Sequence, residues 1–181
     1  MHLAQLNIGR MVAPEGDPRV AEFFSALDEI NAVAESSPGF VWRMVDGESN
    51  NATSLRPYHG EPDMLVNMSV WESREALFDY VYRSGHMDYV RRRREWFTPL
   101  REVFTVLWWV PEGMLPRLAD AMARLDHLRE NGPTPYAFTF RQAFEPETAA
   151  EISAAVLDQR VTSVINPEGP QPFRRVGRAC R

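Results

Sequence analysis

The chain has 181 residues, 44% hydrophobic and 25% charged, with a formal net charge of −5. That length holds one domain with a real core and is too short for two comfortable ones. The acidic balance argues against nucleic acid as the main partner, and no apolar run approaches the ~20 residues of a membrane span.

All 20 basic residues are arginine, so lysine Schiff-base chemistry and a phosphate-loop lysine are excluded. Four of those arginines (Arg174, Arg175, Arg178, Arg181) sit in the last eight residues with no acid beside them. Removing their charge from the total leaves −9 on residues 1–173. The one cysteine, Cys180, cannot form an intrachain disulfide. The start Met1-His2-Leu3-Ala4-Gln5 lacks the basic segment and apolar block of a signal peptide, so the expected compartment is the cytoplasm.

Residues 2–12 alternate as a strand does, with Ala4, Leu6 and Ile8 on one face and Leu3, Gln5, Asn7 and Gly9 on the other. Pro14, Gly16 and Pro18 make a turn. A helix over 18–36 carries Val20, Phe23, Phe24, Leu27, Ile30 and Ala34 on one stripe, and Pro38-Gly39 follows it. Strands are expected at 40–45 and 64–71, with a short strand-like run at 52–56 between them. Ser73 is a helix N-cap, and Glu75 suits the first turn. The helix runs over 74–83, breaks at Ser84-Gly85 and resumes over 86–97. A fourth main strand spans 103–110.

This order is β-α-β-β-α-β, a split βαβ plan of the ferredoxin-like α+β class, with helices on one face of an antiparallel sheet. A further helix fits 116–130 and a last strand 136–144. A weak helix fits 148–158. Residues 1–144 are expected to form the domain, and 145–181 a peripheral extension.

The run at 103–110 is apolar at nearly every position, and neighbouring strand residues point to opposite faces. Trp108 and Trp109 must therefore bury opposite faces, so both sides of the sheet are covered. Two helices cover one side. A second copy of the sheet is the favoured cover for the other, and the helix at 116–130 competes with it.

The layout, the window Val70-Trp71-Glu72-Ser73-Arg74-Glu75-Ala76-Leu77 and the following Ser84-Gly85-His86 resemble the dimeric α/β-barrel superfamily. That group includes antibiotic-biosynthesis monooxygenase-like and haem-degrading proteins. More closely, residues 1–144 resemble one microbial family within it, known as a domain of unknown function. The resemblance is carried by His2-Leu3-Ala4-Gln5-Leu6-Asn7, Pro38-Gly39-Phe40-Val41-Trp42-Arg43 and Arg93-Arg94-Glu95-Trp96-Phe97. Leu107-Trp108-Trp109-Val110-Pro111 and Gly132-Pro133-Thr134-Pro135-Tyr136-Ala137-Phe138 add to it. It implies a homodimer with a pocket for a small, aromatic molecule between sheet and second helix. It also implies a cofactor-independent monooxygenase or proton-transfer enzyme. The alternatives are a haem-binding or haem-degrading protein and a non-catalytic dimer, because fold alone does not choose a chemistry.

Candidate residues follow. Asn7 matches the pocket-facing asparagine of the haem-degrading relatives, or is a polar residue without catalytic duty. Their haem ligand aligns near Tyr89 or Val90, not His86, and Tyr80 stands near their helix-two tryptophan. His86, at the restart of the broken helix, suits a general base near neutral pH, or else caps the junction. Arg43, inside a strand, needs a partner. A substrate anion is one choice, and a carboxylate such as Glu95 or Asp28 the other. Asn67 and Ser69 make one face of the third strand partly polar. Trp71, Tyr82, Tyr58 and Trp96 are candidates for contact with a flat ligand, and core aromatics otherwise. The arginines at 91–94 spread around a helix and read as a solvated or ion-paired face. The four scattered histidines offer no metal pair, and no metal is expected.

Overall fold

Strand β1, His2–Met11, is the spine of the sheet. It lies antiparallel to β3, Met64–Trp71, pairing Leu3 with Trp71 through to Arg10 with Met64. Its other edge is shared. Two-residue β4, Phe97–Thr98, pairs with Arg10 and Met11, and β5, Thr105–Val110, pairs with His2 through Asn7. Four-residue β2, Phe40–Arg43, closes the far edge against β3. The path β2-β3-β1 followed by β5 is the ferredoxin-like split βαβ arrangement. This computed structural model describes residues 1–47 and 49–146, and at position 86 the backbone alone. They belong to one unit, Met1–Pro146. The helix expected at 148–158 and nearly all of the expected extension lie outside the described residues.

Helix α1 (Ala21–Glu35) starts three residues later than expected, α2 (Arg74–Arg83) has the expected bounds, and α3 (His86–Arg92) starts where expected. The Ser73 hydroxyl caps α2 by accepting from the Ala76 N–H at 3.1 Å. After α3 the chain makes one 3₁₀ turn at Arg93–Glu95, then leaves as β4. The expected helix over 86–97 therefore ends early, because Phe97 joins the β1 edge. The run at 52–56 forms turns rather than a strand. The strand expected at 136–144 contracts to two isolated bridges: Ala137 pairs with Thr134, and Phe138 and Leu107 exchange N–H···O bonds of 2.9 Å.

Trp108 and Trp109 do face opposite sides. Trp108 belongs to a core with Ala4, Leu6, Val66, Met68 and Val106. The cover on that side is helix α4, Leu118–Asn131, whose Ala121, Met122, Leu125 and Leu128 are buried there. The favoured second copy is thus not what covers this face; the competing helix is. Its apolar residues recur at helical spacing, and their burial stabilises by roughly 1.5–3 kcal/mol for each large side chain. Trp109 lies with Leu3, Trp71, Leu107 and Phe138 on the side of α1 and α2.

One irregularity decides what β2 presents. Phe40 pairs with Trp71 but Trp42 pairs with Val70, so one extra residue bulges between them. Simple alternation would put Phe40 and Trp42 on one face. The bulge instead sends Trp42 into the α4-side core and brings Arg43 opposite Ser69 on the α1/α2 side.

Candidate functional site

The α1/α2 face of the sheet is not filled. A cavity of about 570 Å³ lies between it and the helices. Its floor is built in rows, because residues paired across an antiparallel sheet point the same way. One row is Asn67–Asn7–Thr105, and the next is Arg43–Ser69–Gln5. Beyond them, outside the cavity, Leu3, Trp71 and Phe40 form apolar core on the same face of the sheet. The walls are Phe23, Leu27 and Ile30 of α1, Leu77, Tyr80 and Val81 of α2, and Tyr89 and Val90 of α3, with Trp96 and Phe97 beyond. Gly9 admits the Phe97 ring, since a Cβ there would lie 2.7 Å from Phe97 Cδ1.

The polar rows differ in how they are satisfied. The Gln5 amide donates to Ser69 Oγ at 3.1 Å, and the Trp71 indole N–H donates to the same oxygen at 2.9 Å. That row is internally tied. The carboxamides of Asn7 and Asn67 make no hydrogen bond to the described residues. Asn67 is the single exposed position in an otherwise buried β3, so the cavity reaches the middle of the sheet. Two adjacent amides there offer donors and acceptors to whatever enters.

Three arginines line the cavity: Arg43, Arg93 and Arg141. Arg43 Nε donates to Glu35 at 2.8 Å, and its terminal nitrogen donates to Asn50 Oδ1 at 2.6 Å. Its partner is therefore a protein carboxylate, but Glu35 rather than Glu95 or Asp28. Glu95 instead serves Arg92. Burial pushes the Tyr80 phenol well above its ordinary value, and the Arg43 charge opposes this weakly. Tyr80 stacks on Trp71 with centroids 4.9 Å apart.

A family model described as a domain of unknown function, DUF3291, matches residues 2–154. The chain belongs to this family. No curated protein matches it. Among solved structures it is similar to SnoaB, a cofactor-independent oxygenase from Streptomyces nogalater. The identity is 20%, over 64% of this chain and 98% of that one, with a TM-score of 0.43. Rv0793 from Mycobacterium tuberculosis is 19% identical, over 63% and 100% of the two chains, at 0.43. A putative antibiotic biosynthesis monooxygenase from Chloroflexus aurantiacus is 18% identical, over 64% and 98%, at 0.42. Likenesses at this level carry no argument about function.

Of the residues expected from sequence, Asn7, Arg43, Asn67, Tyr82 and Trp96 all line the cavity. Trp71 does not. It is wholly buried behind Tyr80, and its Phe40 neighbour meets it edge-on at 5.4 Å. Tyr58 does not either. It packs against the α4-side core, and its hydroxyl accepts from Arg129 at 2.5 Å. The loop that carries it crosses the opposite face of the sheet, which strand order alone does not reveal. The His86 side chain lies outside the described ones.

Tyr89, Arg93 and Thr105 also line the cavity, beyond the substrate contacts expected from sequence. The signal for the first two was present. Residues 89, 93 and 96 are spaced as one helical stripe, so Arg93 shares its side with Tyr89 and Trp96.

Haem would need an axial ligand. Among the described lining residues the candidates are the phenols of Tyr80, Tyr82 and Tyr89 and the thioether of Met44, which is buried in the α4-side core. Tyr80 holds its proton more tightly than usual, and Tyr89 leans on Trp96 with centroids 6.2 Å apart. The described lining fits haem poorly. Among the described residues no group of three His, Cys, Asp or Glu could hold a metal ion, and no helix is long and apolar enough to cross a membrane.

Proposed function

We infer that the cavity binds a small, flat, aromatic molecule and promotes proton transfer or oxygenation on it without a bound cofactor. The observation that carries this reading is the exposed Asn67 in a buried central strand, beside Asn7, under aromatic walls. Apolar walls with a few convergent polar groups are what a small-molecule site needs. The two carboxamides hold an oxygen atom of the ligand, and they stabilise charge that develops there when a proton leaves. His86, at the start of α3, is assigned as the base. In the oxygenation arm, a phenol-activated methylene loses two hydrogens and gains one atom of O₂. The second atom leaves as water, and the substrate supplies the electrons.

The cavity is lined from one chain, so the reading does not require the second copy that the resemblance implies. The test is oxygen uptake with polycyclic phenols bearing such a methylene, for wild type and His86→Ala. The expected result is protein-dependent uptake that falls about a hundredfold or more in the variant, as general-base loss does. Unchanged turnover removes His86 as the base. Binding without turnover supports the non-catalytic reading. A saturable Soret band at stoichiometric haemin turns the reading to haem.

A further inference from the structure

The body of this chain is acidic, with −9 on residues 1–173, yet no Asp or Glu is among the described residues that line the cavity. The charged residues among them are Arg43, Arg93 and Arg141. Arg43 is neutralised by Glu35, and Arg141 is exposed and solvated. Arg93 is different. Its neighbours in the run are paired or exposed: Arg91 lies 3.6 Å from Asp88, Arg92 bridges Glu22 and Glu95, and Arg94 faces solvent. The Arg93 side chain is half-buried and makes neither an ion pair nor a hydrogen bond to the described residues. Its guanidinium instead lies 4.6 Å from the centre of the Phe104 ring. Phe104 also packs against the α4-side core, at the sheet's edge, and Arg93 and Phe104 line the same cavity as Asn7, Asn67 and Thr105. Stacking on a ring leaves the N–H groups of a guanidinium free at its edge.

We propose that Arg93 is the anion-binding residue of the cavity and that its ligand is an aromatic carboxylate, the acid seated on Arg93 and the ring system between Asn7 and the aromatic walls. This rests on the reading that the cavity takes flat aromatic molecules. A partly desolvated cation without a counter-charge is unfavourable in the empty protein, and a ligand carboxylate relieves it. Burial lowers the proton affinity of Arg93 but leaves it charged at neutral pH. The planar fork of arginine matches a carboxylate through two parallel N–H···O bonds.

The experiment is calorimetric titration of the full chain with 2-naphthoate and with neutral 2-naphthamide, which share one ring frame. Wild type is expected to prefer naphthoate by about ten- to a hundredfold, the range of a charge-assisted hydrogen bond. Arg93→Gln should abolish that preference, bringing the two affinities to within about twofold of each other. Naphthamide binding as tight as naphthoate in wild type overturns the anion site and leaves the aromatic cavity standing, with no variant needed. A preference that survives in a folded Arg93→Gln also overturns it. Binding of neither probe overturns both the cavity reading and this one.

Discussion

Arg92 and Arg93 are neighbours with opposite fates. Arg92 points outward and is held by Glu22 and Glu95 at 2.6 and 2.7 Å. Arg93 turns inward to Phe104. Composition treats them alike; only helical phase separates them. Another local pair gives a pH prediction. Asp17 accepts from the side chain and the backbone N–H of Arg19, which lowers its pKa from 3.8 to about 2. A carboxyl depressed in the folded state stabilises it above the unfolded pKa, and the contribution fades as pH falls from near 4 toward 2. Arg19→Ala should therefore move the Asp17 titration up toward 3.8, lower stability above about pH 4 and flatten its fall between about pH 4 and 2. An NMR titration of the Asp17 carboxyl carbon reads this directly, and an unchanged midpoint would count against the pair.

The link between α1 and β2 turns on Gly39. Its φ is +77°, and a Cβ there would lie 2.6 Å from Ala76 Cβ on α2. Gly39→Ala thus meets both backbone strain and a clash, and should destabilise by about 1–3 kcal/mol in urea unfolding. Less than about 0.5 kcal/mol would mean that α2 has room to shift. The next residues matter for the site as well. The bulge after Phe40 turns Arg43 toward the cavity and Trp42 away from it. A strict period of two assigns Phe40 and Trp42 to one face, so this reversal was not legible in the residues. The bulge comes from register against β3, which is a tertiary property.

For the molecule as a whole, the choice of cover for the sheet's second face has a thermodynamic signature. Leu125 is fully buried between α4 and the sheet. Leu125→Ala should lower stability by about 2–5 kcal/mol. With the cover supplied in the same chain, the denaturation midpoint should not move when protein concentration changes tenfold. A sheet-to-sheet dimer would make it rise with concentration. That shift, or an Ala variant of unchanged stability, would show that α4 is not the cover.

Local pattern was enough for much of this protein. Alternation in β1, the Ser73 cap, the Ser84-Gly85 break and the two-faced Trp108-Trp109 pair depend on near neighbours, and a period or a cap can be read from near neighbours. The split βαβ order followed from them, and so did Asn7 beside Gln5 and Asn67 beside Ser69, each on its own strand; the register that sets Asn7 against Asn67 is tertiary. Partnership across long loops was decided only by the tertiary structure. It set α4 rather than a second copy over the sheet, Glu35 rather than Glu95 on Arg43, Tyr58 on the far face, and Arg93 inward without a counter-charge among the described residues. These contacts join residues far apart in the chain, so neither their register nor their charge pairing is written in any short window of it.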